Sequence, residues 1–589
     1  MKRTASLFAV CAAVLGMTTA CGGNSPDDTL ERFADALAQG KVDEASAATS
    51  DPAAAKTALQ SMFDGMGAKA KVSTSSRVVD DKKVTGTIDY HWTIRDTHKV
   101  DYQSTVMLAK NDDNWTVTWQ PTVLHPQLKS GQTFSYSDDM DYRTPVLDRN
   151  GLPLMNWQPV SVVSLQRTHL DSADQLAQVL RAVDPTVTAA GIRHQFDTAK
   201  GASQTVIRLR SSDFDKVGKQ LATIEGVGVT EQGTLLSTSK ALHSPAMSGL
   251  EDVWRQTITP NAGWSVSLVD QHGTPTDVVK QVAPQFTPSI RTGLDRDIQT
   301  QAQTAVDSQR KPAVLVAIAP STGEIVAVAQ NDAADKSGAI ALSGLYPPGS
   351  TFKTITTASG LESGAVQPNT RLACPGRTTI EGRTIPNEDD FDLGTVPLST
   401  AFAQSCNTTM GALANRLPAD ALPTTAKQFG IGVDYVIPGV TTVTGKVDAA
   451  TTPAQRVENG IGQGTVSVSP FGLAVAEASL ANGETVTPTL IAGRRTTSDG
   501  APQKIPADVV SELRAMMRQT VTSGTATALR DVPGLGGKTG TAEYGDNKNP
   551  HGWFAGIVGD LAFASLVVGG GSSEPAVEMT GEFLRPLSR

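Results

Sequence analysis

Two pairs of apolar runs, far apart in the chain, limit the folds open to its C-terminal half. Residues 313–318 and 324–328 flank Pro320-Ser321-Thr322-Gly323, and residues 553–558 and 561–568 flank Gly559-Asp560. Short apolar runs broken by turn residues read as strands joined by tight turns. Between the pairs lies a long, mixed, helix-rich segment. The economical solution is one sheet built from both ends of a domain, with a helical body inserted between them.

That inserted segment opens with Tyr346-Pro347-Pro348-Gly349-Ser350-Thr351-Phe352-Lys353. In a helix, residues i and i+3 share a face, which brings the Lys353 amine within reach of the Ser350 hydroxyl. Pro348 and Gly349 suit a chain entering a helix, and Ser350 then lies in a first turn whose N–H groups are unpaired. A nucleophile with a base beside it and free donors for an oxyanion is what acyl transfer requires.

Two further strings follow in order, Ser405-Cys406-Asn407 and Lys538-Thr539-Gly540-Thr541. Alone, each is a common surface string; together they divide the chemistry. Ser350 is the nucleophile, and Lys353 its base if burial and a neighbouring cation lower its pKa. Lys538 supplies that cation and attracts a substrate carboxylate. Ser405 relays a proton to the leaving group, so either Lys353 directly or a Ser405 relay activates Ser350. Asn407 holds a substrate amide, and Thr539 and Thr541 offer hydroxyls to a carboxylate. Gly540 lets substrate backbone lie close to the strand. The N–H groups of Ser350 and Thr541 are the expected oxyanion donors. A phosphate loop is the competing reading of Gly536-Gly537-Lys538-Thr539, but the glycine it needs is Val532.

Composition narrows the function classes. A formal net charge of −9 lacks the basic footprint of nucleic-acid binding. The eight histidines are scattered without metal-ligand spacing, so no metal site or cofactor is expected. Residues 1–21 read as a targeting segment: Lys2 and Arg3, an apolar run from Ala5 to Met17 too short to span a bilayer, then Thr18-Thr19-Ala20-Cys21. The cut site resembles a bacterial lipobox with Cys21 as the lipidated residue, although Thr18 stands where an aliphatic is usual. The expected location is the extracytoplasmic face of the membrane, anchored at Cys21, or secretion if Cys21 is not acylated. Cys374 and Cys406 remain as a disulfide in an oxidising compartment or as two separate thiols.

The first half reads as two α+β regions. Leu30, Phe33, Ala34 and Leu37 recur at helical spacing, and alternation at 84–94, 102–108 and 115–119 predicts a curled antiparallel sheet, with a hairpin turn at 111–114. Its Trp and Tyr stripe reads as core. A second region carries the hairpin signal Asn150-Gly151, a helix around 173–183 and a strand at 205–209. The Pro-bearing stretch 283–288 marks its end. The expected organisation is a targeting segment at 1–21, then domains at 25–140, 141–285 and 286–589.

The ordered motifs, with Ile461-Gly462-Gln463-Gly464, Ser469-Pro470 and His551-Gly552-Trp553-Phe554-Ala555-Gly556, resemble the class B high-molecular-mass penicillin-binding proteins. Leu147-Asp148-Arg149-Asn150-Gly151 resembles their pedestal segment, and residues 25–140 resemble the extra N-terminal domain of the methicillin-resistance type. The resemblance implies a multidomain α+β protein: a small cone-like domain, a pedestal, and a serine transpeptidase/β-lactamase-like domain with an antiparallel sheet and a helical subdomain. It implies a peptidoglycan D,D-transpeptidase that forms an acyl-enzyme on stem peptides ending in D-Ala-D-Ala and is acylated by β-lactams. A D,D-carboxypeptidase or β-lactamase of the same fold, or a β-lactam sensor, are the alternatives. Many class B members meet a polymerase through a membrane helix; a lipid anchor would remove that contact, leaving a polymerase partner open.

Overall fold

The computed structural model describes residues 25–588 apart from 68–70, 81–83, 112–113, 140–141, 200, 240–241, 272 and 544–548. The targeting segment and Cys21 lie outside the described residues. The chain forms two compact units, residues 1–141 with 261–286, and residues 142–260 with 287–589. Among the described residues, no helix is long and apolar enough to cross a membrane.

In the first unit, helix Pro26–Ala38 begins at a capping box in which Ser25 accepts from the Asp28 N–H. Its Leu30, Phe33, Ala34 and Leu37 are buried, as their spacing requires. Strands Lys71–Asp80, Thr85–Ile94, His98–Asn111 and Asn114–Val117 form an antiparallel sheet in sequence order. Ile88, Tyr90, Trp92 and Ile94 point into the core, so the aromatic stripe is packing. Residues 261–286, allotted on sequence to the second region, return to this unit. Strand Gly263–Val269 pairs with Thr133–Asp139 on one side and Pro275–Val282 on the other. It adds Trp264, Val266 and Leu268 to the same core. Nothing local encodes a partner so distant in sequence.

The second unit contains the remainder of that second region. Strand Pro153–Gln166 pairs with Val146–Leu147 across a turn in which Gly151 adopts φ +85°, a left-handed conformation that suits glycine. Buried Asp148 accepts from the N–H groups of Asn150 and Leu152 and fixes that turn. The same long strand pairs with Ser203–Arg210 and Val227–Ser237. Helices Ala173–Leu180, Ala189–Thr198 and Ser211–Leu221 contribute to the core beside it.

The C-terminal part of this unit contains α1 (Arg296–Asp307), β1 (Ala313–Ile318), β2 (Ile325–Gln330), α2 (Lys353–Glu362), α3 (Asn407–Arg416), α4 (Pro470–Asn482), β3 (Gly536–Ala542), β4 (His551–Val558), β5 (Leu561–Val567) and α5 (Glu574–Leu587). The sheet runs β2-β1-β5-β4-β3 with every pair antiparallel. Both ends of the segment therefore do share one sheet, and α1 and α5 share its hydrophobic core. Continuous burial in β1 and β2 explains why their sequences do not alternate.

Helix α4 is apolar all round and buried from Pro470 to Leu480, as expected of a helix in the centre of a domain. It carries one carboxyl, Glu477, 1% exposed, whose Oε2 has no hydrogen-bond partner among the described residues. Burial pushes this carboxyl up from 4.5 to about 8. The folded chain thus holds a proton that the unfolded chain releases above about pH 4.5, and stability drains away as pH rises towards 8. Glu477→Gln should stabilise the protein by about 2 kcal/mol at pH 7, with the gain shrinking towards pH 4.5. Urea midpoints for both proteins across that range test this; a gain independent of pH would refute it.

Candidate active site

Ser350 lies in a single 3-10 turn, Gly349–Phe352, which leads directly into α2 with Lys353 as its first residue. The turn is wedged between β3 and the loop carrying Gly462. Gly349 takes φ +52°, and a Cβ there would lie 2.4 Å from Thr541 O; a Cβ on Gly462 would lie 2.0 Å from Gly349 O. These glycines let three backbones meet, and Gly349 N–H donates to Gly462 O at 2.9 Å. Trp553 Nε1 donates to Pro347 O at 3.0 Å and pins the entry to the turn.

Gly540 also has a packing task. A Cβ on it would lie 2.8 Å from Pro348 O and 2.9 Å from Thr351 Cγ2. Its bare side seats the Ser350 turn on β3. Gly540→Ala should displace Ser350 and slow acylation about tenfold, the scale of modest overpacking. Stopped-flow acylation measures this, and an unchanged rate would refute it.

The structure brings all three motifs to one cleft of about 620 Å³, lined by Ser350, Ser405, Asn407, Thr525, Thr539 and Thr541 among others. Beneath it sit both lysines, Lys353 and Lys538, each fully buried. The Lys353 ammonium position differs from simple i,i+3 pairing with Ser350. Lys353 Nζ donates to Ser405 O at 2.7 Å and Asn407 Oδ1 at 2.6 Å, and lies 3.2 Å from Ser405 Oγ. Among the described residues, no hydrogen bond joins it to Ser350. A neutral amine has two N–H groups, which the two shortest contacts consume, leaving its lone pair for a hydroxyl proton.

Lys538 Nζ donates to Ser405 Oγ at 2.9 Å and to Thr539 O at 3.0 Å, with the Phe402 ring 5.8 Å away. Ser405 Oγ therefore stands between the two amines. Burial, then the Lys538 charge, holds the Lys353 amine well below the lysine range, against an opposing pull from Glu388. Burial brings Lys538 down to about 7, again opposed by Glu388. Ser405 itself takes φ +62°, unusual for a side chain larger than glycine. The Thr539 hydroxyl pairs with Thr525 Oγ1 at 2.6 Å, while Thr541 lines the cleft. The Ser350 N–H makes no backbone hydrogen bond among the described residues, which leaves it free for an oxyanion.

Cys374 and Cys406 form a disulfide, so the centre of the second motif is tied to strand Arg371–Cys374. Thr525, Asn387 and Glu388 were not singled out on sequence. Each reaches the site through tertiary contacts and carries no spacing signature. Among the described residues, no group of three or more His, Cys, Asp or Glu side chains could hold a metal.

Comparison with known proteins adds to this geometry. Residues 313–585 match the penicillin binding protein transpeptidase domain, and residues 25–132 match the NTF2-like N-terminal transpeptidase domain, MecA_N. The C-terminal body is a penicillin-binding protein transpeptidase domain. Penicillin-binding protein 3 of Bacillus subtilis is 22% identical, with 94% of each chain covered. The peptidoglycan D,D-transpeptidase PbpA of Mycolicibacterium smegmatis is 32% identical over 47% of this chain and 65% of its own. The peptidoglycan D,D-transpeptidase MrdA of Acinetobacter baumannii is 24% identical over 68% and 70% respectively. Two matched domains in this order give the chain the architecture of a class B penicillin-binding protein with a MecA_N-like N-terminal domain.

Proposed function

We propose that the protein cross-links peptidoglycan through an acyl-enzyme on Ser350. The observation that carries this reading is the Lys353–Ser405–Lys538 chain, its two lysines buried beneath a cleft that Ser350 and Ser405 line. Lys353, in the neutral form that burial favours, takes the Ser350 proton directly or through Ser405 as Oγ attacks the penultimate D-alanine carbonyl. The oxyanion is held by the N–H groups of Ser350 and Thr541. The amide C–N bond breaks, D-alanine leaves with a proton delivered by Ser405, and Lys538 restores that proton. An amine of a second stem peptide then attacks the ester and gives up its proton through Ser405 to Lys538; the new amide forms as the ester C–O bond breaks, and Lys353 returns to Ser350 the proton it took.

Lys538, Thr539 and Thr541 receive the terminal carboxylate of the donor, and Asn407 its peptide amide. A β-lactam presents the same carboxylate and carbonyl and remains on Ser350. The reading places the enzyme outside the cytoplasmic membrane, anchored through Cys21. Metabolic labelling with a fatty acid tests the anchor, since Cys21→Ala should lose the label.

The test of the chemistry is intact mass after benzylpenicillin, followed over hours, with peptide mapping of the adduct. An adduct on the Ser350 peptide that persists for hours supports the transpeptidase. One that forms and clears within seconds identifies a β-lactamase instead, and an adduct on another residue overturns the assignment. A donor thioester with a D-amino acid acceptor then separates aminolysis from hydrolysis, and so transpeptidase from carboxypeptidase.

A further inference from the structure

One residue outside the three motifs is bonded to more of the site than any single contact in it explains. Asn387 is 2% exposed, and every hydrogen-bonding atom of its amide is engaged. Its Oδ1 accepts from the N–H groups of Asn407 at 2.8 Å and Thr408 at 3.1 Å. Its Nδ2 donates to Pro375 O at 2.9 Å and Phe391 O at 2.8 Å, and lies 3.4 Å from Cys374 Sγ.

These contacts meet a local deficit. Helix α3 starts at Asn407, and the N–H groups of a first helical turn have no partner within the helix. The residue at its N-cap position is Cys406, whose side chain makes no capping hydrogen bond and is committed to the disulfide. The cap is supplied instead from twenty residues upstream, by a side chain held in place by two carbonyls of its own segment.

The preceding residue completes the grip. Asn407 Nδ2 donates to Pro386 O at 2.9 Å, so residues 386 and 387 fix both the backbone and the amide of Asn407. With Nδ2 committed to Pro386, Oδ1 is the atom turned towards Lys353 Nζ, at 2.6 Å. The orientation of Asn407, and with it the Oδ1 acceptor of the Lys353 amine, depends on this short segment.

We propose that Asn387 is a positioning residue for acylation: a long-range cap on α3 that sets Asn407, and through it Lys353, in register with Ser350. This rests on the reading of Ser350 as nucleophile and Lys353 as base. Asn387 touches no reacting atom, so its effect passes through Asn407. Its removal lowers the rate of the covalent step and leaves non-covalent capture of the β-lactam carboxylate, which belongs to Lys538, Thr539 and Thr541, near its wild-type value.

The experiment is stopped-flow acylation by a fluorescent penicillin, resolved into the non-covalent dissociation constant and the acylation rate constant. It uses wild type, Asn387→Ala, Asn407→Ala and the double variant, with thermal melts on each. The expected result is a 10–100-fold slower acylation step for Asn387→Ala, with the dissociation constant within threefold of wild type. The double variant should be no slower than Asn407→Ala alone, because contacting residues that act as a unit are not additive. A wild-type rate in Asn387→Ala overturns the proposal while leaving the nucleophile assignment intact, and so do single losses that multiply in the double variant. If Asn387→Ala does not fold, Asn387→Asp replaces it, since one carboxyl oxygen keeps both acceptances from α3 and the other, when protonated, still donates to one of the two carbonyls. A rate within tenfold of wild type is then expected, and a folded Asn387→Asp as slow as Asn407→Ala overturns the proposal. Failure of wild type itself to acylate overturns the reading of the site and the proposal together.

Discussion

Ser350→Ala should take up no β-lactam, and Lys353→Met should acylate at least about 1,000-fold more slowly than wild type, the upper range for loss of a general base. Met keeps most of the lysine stem, so the fully buried site remains filled while the amine is lost. The contacts to Ser405 O and Asn407 Oδ1 disappear with it, and these otherwise hold the amine in place. The pH profile carries the same logic. Acylation needs Lys353 neutral, a form that burial and the Lys538 charge favour, and the rate should fall as acid protonates it. Capture of the carboxylate needs Lys538 charged, and Lys538 loses its proton at about 7 in the free enzyme. The apparent second-order rate of acylation should therefore fall on the alkaline side of about pH 7 as well as in acid, since that constant reports free-enzyme groups. A flat profile from pH 6 to 9, or a Lys353→Met variant that acylates normally, would remove Lys353 and Lys538 from the roles given to them.

Reduction of the Cys374–Cys406 disulfide should cost the protein about 3–4 kcal/mol, the loop-closure value for a separation of 32 residues. The consequence extends to the site because Cys406 sits between Ser405 and Asn407. Ser405 is held at φ +62°, a conformation that costs a non-glycine residue roughly 1–2 kcal/mol. The surroundings that enforce it are the Ser405 and Cys406 N–H bonds to Phe402 O and Ala401 O, together with the disulfide. Freed of that tie, Ser405 can relax and loosen its contacts with both lysines, so acylation should slow by about tenfold. Denaturation midpoints and acylation rates with and without a reductant, with thiol loss confirmed by mass, measure both effects. An unchanged midpoint in fully reduced protein would refute the stabilising role.

The sequence by itself determined the elements whose signal is local or carried by residue type. Helix Pro26–Ala38 was legible because its apolar residues recur at helical spacing, and strand Thr85–Ile94 because one face of it is core. The β1–β2 and β4–β5 pairs were legible as apolar runs broken by turn residues. The grouping of Ser350, Lys353, Ser405, Asn407 and Lys538 was legible because three motifs in this order resemble those of the penicillin-binding proteins, and acyl transfer gives each group a role.

Tertiary structure alone decided what depends on contacts between distant segments. It returned residues 261–286 to the first unit through pairing with Thr133–Asp139, and it gave Gly540 to the Ser350 turn. It directed Lys353 Nζ towards Ser405 and Asn407, which the i,i+3 rule could not foresee because Lys353 opens α2 after a 3-10 turn. It also recruited Asn387 to cap a helix that starts twenty residues later. Periodicity reports which face of an element is buried; it carries no record of which distant backbone groups that burial leaves to be satisfied, and those groups chose the partners.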